Sequence, residues 1–301
     1  MNVDLRLPWG ITFHPLHQQV IVTDTHPRRV HIFRRQQTHQ QQFQHQSVLI
    51  EAQLNDTSGV CVQPHTENIL VCGDVNSHVH VFSPSLQSSS SQVYLQSLYA
   101  IGSGIPVPTA PFSRFRQFSN RRFDKPLGIC CTPNGSIAVV EYAQHRMQIF
   151  DASGRFISTF GSCGNSPHQF LYPRDVCYLH PHFSPSSSAS SLLLIADNSN
   201  AHISIWNLSS GPGRDRHIRN IKLEGYPRGI CVDMNGLVYL SFYSSIRVLD
   251  PRNDFQLLQR IGTDSVGAEP GAFSDATGLC VDDTNTLMVV DRGNHRVQFF
   301  D

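Results

Sequence analysis

Charge is scarce in this chain and favours neither sign: 23 Lys and Arg stand against 23 Asp and Glu, 15% of 301 residues. No global field therefore steers a polyanion, and nucleic-acid binding has to rest on a local patch. Apolar runs long enough to span a bilayer are missing, so no membrane association is expected. Met1 to Leu7 carries Asp4 and Arg6 where a signal peptide needs an apolar core, which predicts a soluble, cytoplasmic protein. Paired-cysteine zinc spacing and coiled-coil heptads are also missing. No Ser/His/Asp triad or phosphate-cradling glycine loop stands out. The sequence thus points to no catalytic centre, no metal and no cofactor.

What is present is a repeat. Gly278 to Asp301 reads as a short apolar run, a turn, a second apolar run ending in Asp291, a polar turn with Gly293 and Asn294, and an alternating run from Arg296 to Phe300. Alternation and turn chemistry make that three strands in a row. The same grammar opens at Gly10, Gly59, Gly128, Asp175 and Gly229. The acid of the second run recurs as Asp24, Asp74, Glu141 and Asp197 and is replaced by Ser241 in the fifth copy. A fourth, outer run follows each of the first five copies: Ser47 to Leu54, Val93 to Ile101, Arg155 to Phe160, His217 to Leu223 and Gln256 to Ile261. All-strand copies spaced by roughly 45 to 70 residues predict an all-β, six-bladed propeller with four-stranded blades over residues 1–301. The sixth copy has no fourth run, while Val3, Leu5 and Leu7 alternate with Asn2, Asp4 and Arg6. Residues 2–7 are therefore expected to pair with the last blade as its outer strand and close the ring.

Five of the eight cysteines, Cys61, Cys130, Cys177, Cys231 and Cys280, lie two residues after an opening position, with Thr12 in the sixth copy. Equivalent positions on successive blades are too far apart for disulfide geometry, so these read as small buried side chains, and reduced thiols agree with the cytosol. Three inserts, Arg34 to Gln46, Ser83 to Gln92 and Ser184 to Ser191, are Gln/His-rich or Ser-rich and too poor in apolar residues to offset the entropy of ordering. The Gln/His tract has no acid nearby and reads as a solvated loop. The connection Gly102 to Pro126 differs in kind, because Phe112 to Phe123 interleaves phenylalanines with Arg114, Arg116, Arg121 and Arg122. Guanidinium groups bind phosphates and aromatic faces stack on unpaired bases. The segment has two readings, an RNA-binding loop or a phenylalanine staple carrying solvated arginines.

Pro126-Leu127-Gly128-Ile129, Asp291 to Phe300 and Asp151 to Phe156 resemble the NHL repeat. The third and sixth copies match closely; the fourth and fifth depart, with Asp175 in place of Gly and Ser241 in place of Asp. The resemblance implies a six-bladed propeller most similar to the C-terminal domain of TRIM-NHL proteins, which act in ubiquitination or as RNA-binding translational repressors. It implies a recognition module for protein partners, or for single-stranded or hairpin RNA on one flat face, and not an enzyme. Ubiquitin-ligase activity needs a RING module that these residues do not contain. Lactonase- and lyase-type propellers are the alternative, but their sites need carboxylates or histidines at the channel mouth. The residues before each opening position include none.

The turn between strands two and three of a blade emerges on the side of the connection into the next blade. That side collects Thr25, His26 and Arg28; Asn76 and His78; Tyr142 and His145; Asn198 and Asn200; Phe242 and Tyr243; Arg292, Asn294 and His295. It also collects the residues before the opening positions: Trp9, Ser58, Leu127, Arg174, Arg228 and Thr277. Arginines there hold phosphates and aromatics stack bases. The repeated acids read as structural, yet they add negative charge to the same face.

Overall fold

The computed structural model describes residues 4–26, 28–36, 43–49, 54, 56–73, 78–82, 92–93, 99–101, 123–183, 191–208 and 217–301. Each repeat copy folds as one small antiparallel sheet, and six such sheets form a β-propeller. The first blade holds β1 (Pro8–His14), β2 (Gln19–Asp24), β3 (Arg29–Arg35) and β4 (Phe43–Leu49). The second holds β5 (Thr57–Val62), β6 (Ile69–Gly73), β7 (His78–Phe82) and β9 (Tyr99–Ile101), while β8 (Gln92–Val93) joins the first sheet parallel to β4. The third runs β10 (Pro126–Cys131), β11 (Ile137–Glu141), β12 (Arg146–Phe150) and β13 (Phe156–Phe160). The fourth runs β14 (Pro173–Leu179), β15 (Leu192–Asp197), β16 (His202–Asn207) and β17 (His217–Lys222). The fifth runs β18 (Ile230–Val232), β19 (Val238–Ser241), β20 (Ser245–Asp250) and β21 (Gln256–Gly262), and the sixth β22 (Ala276–Val281), β23 (Leu287–Asp291) and β24 (Arg296–Phe300).

The second strand of each blade is buried at every residue, from Gln19–Asp24 to Leu287–Asp291. Neighbouring blades cover both of its faces, which is why it reads as a continuous apolar run and not as an alternation. The core is correspondingly a set of seams between blades. One seam packs Leu179, Leu194 and Ile203 against Leu240, Phe242 and Leu249. Side-chain bonds tie the inner strands of adjacent blades together. Thr23 Oγ1 donates to the Ser58 carbonyl at 2.5 Å, Ser58 Oγ to that of Pro126 at 2.9 Å, Ser241 Oγ to that of Thr277 at 2.6 Å, and Thr277 Oγ1 to that of Trp9 at 2.9 Å. A Cβ at Gly59 would stand 2.2 Å from the Leu127 carbonyl oxygen, so the repeated glycine is set by this close approach.

Two expectations change. Among the described residues the last blade has three strands, and residues 4–7 lie in none; residues 1–3 lie outside the described residues. The N–H groups of Arg6 and Leu7 donate to the Asp24 carboxylate at 2.9 and 2.7 Å, so they are not available to a ladder. Leu5 instead wedges between the first and last blades, in one cluster with Ile11, Val20, Phe33, Met288 and Val290. The ring thus closes through side chains: Leu5, the Thr277 bond to Trp9, Arg35 on Asp282 and Asp283, and Phe43 stacked on Phe299 at 5.5 Å. Second, the outer strand of the first blade begins at Phe43, inside the stretch read as a loop. Phe43 is buried at that same seam, with Arg35 over its ring at 5.4 Å.

Candidate functional site

Ladder register slips at the same place in five blades: between Pro8 and Ile11, Thr57 and Val60, Pro126 and Ile129, Pro173 and Asp175, and Ala276 and Leu279. A bulge re-aims the side chain it carries. Trp9, Leu127, Arg174 and Thr277 sit at these bulges, and with Arg228 they line a central channel of about 500 Å³. Further along, Cys61, Cys130, Cys177, Cys231 and Cys280 line the same wall. Burial raises the pKa of Cys130, Cys177, Cys231 and Cys280 and keeps them as thiols. Cys61 is raised first by its contact with Cys131, whose sulfur lies 3.5 Å away on the next blade.

The mouth is built on three stacked arginines. Arg174 lies over the Tyr142 ring at 5.6 Å, Arg228 over Tyr243 at 5.3 Å and Arg292 over Trp9 at 5.0 Å. Asp275 pairs with both Arg228 and Arg292, the latter at 2.6 Å. Burial, together with the positive charges of Arg174 and Arg292, brings Arg228 down to about 10. Burial also lowers Arg174 and Arg292. A pKa of about 10 leaves Arg228 a cation at neutral pH, so three guanidiniums stand at the mouth, two of them paired with Asp275 and Arg174 over Tyr142. Planar guanidiniums held on aromatic faces are pre-oriented to grip phosphate or carboxylate oxygens.

Four of the five repeated acids do not cancel this charge from the surface; the fifth, Asp74, lies outside the described residues. Asp24, Glu141, Asp197 and Asp291 are fully buried. Each accepts a backbone N–H from the segment entering its blade, as Glu141 does from Asp124 at 2.9 Å and Asp291 from Ser274 at 2.8 Å. The fifth copy corrects the sequence expectation: pairing of Ile230 with Leu240 puts Phe242 where the acid stands in the other blades, while Ser241 takes the place of Thr23 and, like it, accepts the N–H of the opening glycine, at 2.7 Å.

The remaining face residues divide. Asn198 donates to the Pro227 carbonyl at 2.9 Å and lines a side recess of about 480 Å³ with Arg174, Arg228, Tyr226 and Tyr243. His145 accepts the Tyr172 N–H at 2.9 Å and packs on that ring, which also meets Tyr142. His26 is exposed on its turn, and Arg28 pairs with Asp56 at 3.9 Å. His78 lies at the start of β7 with its ring 6.1 Å from that of His80. Asn294 is used inside the fold, donating to Gly267 at 2.7 Å and Asp291 at 2.9 Å, and His295 bonds the Arg6 carbonyl. Asn76, Arg114, Arg116, Arg121 and Arg122 lie outside the described residues. Phe123, the end of that interleaved segment, is buried against Phe150 at 5.5 Å, as a staple requires.

Sequence reasoning missed Asp275, Tyr172 and Tyr226. A signal was available: all three lie three residues before an opening position, as do Asp56 and Lys125. Asp56, Lys125, Tyr172 and Asp275 share left-handed backbone, with φ of 45, 52, 53 and 60°. Asp175 is a further surprise. It replaces the glycine of the other copies, and its carboxylate accepts the Ile230 N–H of the next blade at 3.0 Å and the Val176 N–H at 2.9 Å. Burial pushes it up to about 7 against those two bonds.

Comparison with known proteins bears on both fold and function. The NHL repeat family model matches residues 273–300. Protein brain tumor of Drosophila melanogaster is 28% identical over 142 residues, 47% of this chain and 13% of that protein's length. Among solved structures, a gluconolactonase from Xanthomonas campestris superposes with a TM-score of 0.64 at 15% identity, covering 98% of this chain and 86% of that one. Virginiamycin B lyase from Staphylococcus aureus superposes at 0.58 with 12% identity, covering 99% and 85%. These likenesses carry the fold alone, but they overturn the expectation that the chain is not an enzyme, because proteins named as lactonase and lyase share its architecture. Among the described residues no helix is long and apolar enough to cross a membrane. The chain is a six-bladed β-propeller that carries an NHL repeat and is similar to the propellers of TRIM-NHL proteins.

Proposed function

We propose that the chain is a recognition propeller whose ring mouth binds single-stranded RNA, as the nucleic-acid-selecting module of a TRIM-NHL-like post-transcriptional regulator. The observation that carries this reading is the mouth itself, three arginines on aromatic rings, two of them paired with Asp275, while Asp24, Glu141, Asp197 and Asp291 are buried. Phosphates meet the guanidiniums, and the exposed rings of Tyr172, Tyr226 and Tyr243 offer faces for unpaired bases. Salt titration against a random single-stranded RNA pool is the test. Binding should weaken with salt, and Arg174→Ala with Arg228→Ala should flatten the log–log slope by about 1.4, one single-strand phosphate each. Absence of binding at low salt, or an unchanged slope in the double variant, refutes RNA at the mouth. An acidic protein segment captured through the same arginines is then the next ligand to try, in keeping with a role in ubiquitination.

Chemistry in the channel is a second reading, favoured by one observation. Asp175 lines the channel with a pKa of about 7, the range in which a carboxyl exchanges protons at neutral pH. Lactone hydrolysis by the wild type that disappears in Asp175→Asn supports it; equal background rates in both proteins dismiss it.

A further inference from the structure

The end of the propeller opposite the arginines carries a second constellation. In the first blade β1 ends on His14 and the turn to β2 bears His17, and in the second blade the turn between β5 and β6 bears Glu67. One ligating atom from each lies within 4.8 Å of the other two. His17 Nε2 stands 3.1 Å from Glu67 Oε2, and the His14 and His17 ring centroids are 4.5 Å apart. Glu67 is held there by its own left-handed backbone, φ 60°, and by its N–H on the Gln63 carbonyl at 3.0 Å.

His14 is the anomaly that gives the cluster a direction. Its place in the repeat, four residues after the opening position, is filled in four other copies by Gln63, Thr132, Asp233 and Asp282, and by the core residue Leu179 in the fourth copy. The four polar side chains all have partners: Gln63 donates to the Ala152 carbonyl at 2.8 Å, Thr132 to that of Ser136 at 3.2 Å, and Asp233 and Asp282 accept N–H groups of their own turns. His14 is 1% exposed, yet neither of its ring nitrogens has a hydrogen-bond partner. A buried polar group without a partner is costly unless something outside the chain satisfies it.

We infer that His14, His17 and Glu67 form a binding site for a divalent transition-metal ion of the Zn²⁺ class, joining the turns of the first two blades. Two imidazoles and one carboxylate are a donor set suited to zinc, with a fourth position left for solvent. Tetrahedral coordination at zinc places ligand atoms about 3.3 Å apart. The 4.8 Å limit of the cluster therefore needs only small side-chain rotations, and His17 and Glu67, with side chains 42% and 33% exposed, are free to make them. An ion here would bridge two blades and stabilise the folded ring by mass action.

The test is titration of the full chain with Zn²⁺ and, for its visible spectrum, Co²⁺. The exposed Cys163 is changed to serine so that thiol binding does not interfere. The expected result is one equivalent bound, a raised melting temperature and a tetrahedral Co²⁺ absorption. His17→Ala and Glu67→Gln alter partly exposed side chains and should fold normally by circular dichroism. Each should weaken binding by at least about tenfold, the smallest loss usual when even a group supporting a ligand is removed. His14→Gln, which copies the residue of the second blade, should abolish the Co²⁺ band. Failure of the wild type to bind, or equal binding in His17→Ala and Glu67→Gln, overturns the inference.

Discussion

Single ionisable side chains set how this protein responds to pH, and they pull in opposite directions. His31 and His80 are held at about 4 by burial, below the usual 6.5. The unfolded chain therefore binds more protons between about pH 4 and 6.5, so their contribution is present above that window and lost as pH falls through it. Asp175 is raised from 3.8 to about 7. Its folded form holds the proton more tightly, so its contribution is full below about pH 4 and is lost as pH rises through 7. Asp175→Asn removes only the second effect. Thermal melts from pH 4 to 8 should show the variant gaining on the wild type as pH rises, by about 1–2 kcal/mol at pH 8, since its half-buried side chain screens part of the shift. Superimposable profiles would show that Asp175 does not titrate in this window. The sequence marked Asp175 as a departure from the repeat; only its partner Ile230, on the next blade, explains why an acid stands there.

Among the elements, the innermost strands matter most, because their bulges both aim the mouth and press against the next blade. Gly59→Ala would set a Cβ 2.2 Å from a backbone carbonyl that cannot move alone. Overpacking of that kind costs about 3 kcal/mol or more. Gly271→Ala, at φ +81° with nothing within 4 Å, meets only backbone strain and should cost about 1 kcal/mol. Urea unfolding of the pair checks the contrast, and equal losses would mean that the close approach at Gly59 relaxes without the expected cost. Repeat spacing made the opening glycines visible as a set. It could not show what they approach, since each contact partner belongs to another copy.

The whole ring depends on how its last seam is shut. Deleting residues 1–7 removes the buried Leu5 and the two N–H donors of Asp24, leaving a cavity and a buried carboxylate with fewer partners. A loss of about 3–5 kcal/mol is expected. Leu5→Ala alone should account for about 2–3 kcal/mol of it. An unchanged urea midpoint in the deletion would show that Thr277, Arg35 and Phe43 hold the seam without the N-terminal segment. The alternation of Val3, Leu5 and Leu7 correctly placed this segment at the closure but read as a strand. A period of two does not reveal that Asp24 takes the N–H groups a strand would need.

The sequence by itself determined the number of blades, their order, most strand positions and the side of the ring on which the turns gather. Those properties follow from alternation, turn residues and spacing, which act over a few neighbouring residues. Tertiary structure decided which of the gathered residues form a site. Arg228 and Arg292 share Asp275, and Arg174 reaches Tyr142, only because the ring brings separate blades side by side. It also decided that Asn294 and His295 are consumed by the fold, and that His14 is left with no partner of its own. Local pattern fixes what each blade is; contact across seams, invisible along the chain, fixes what the blades can do together.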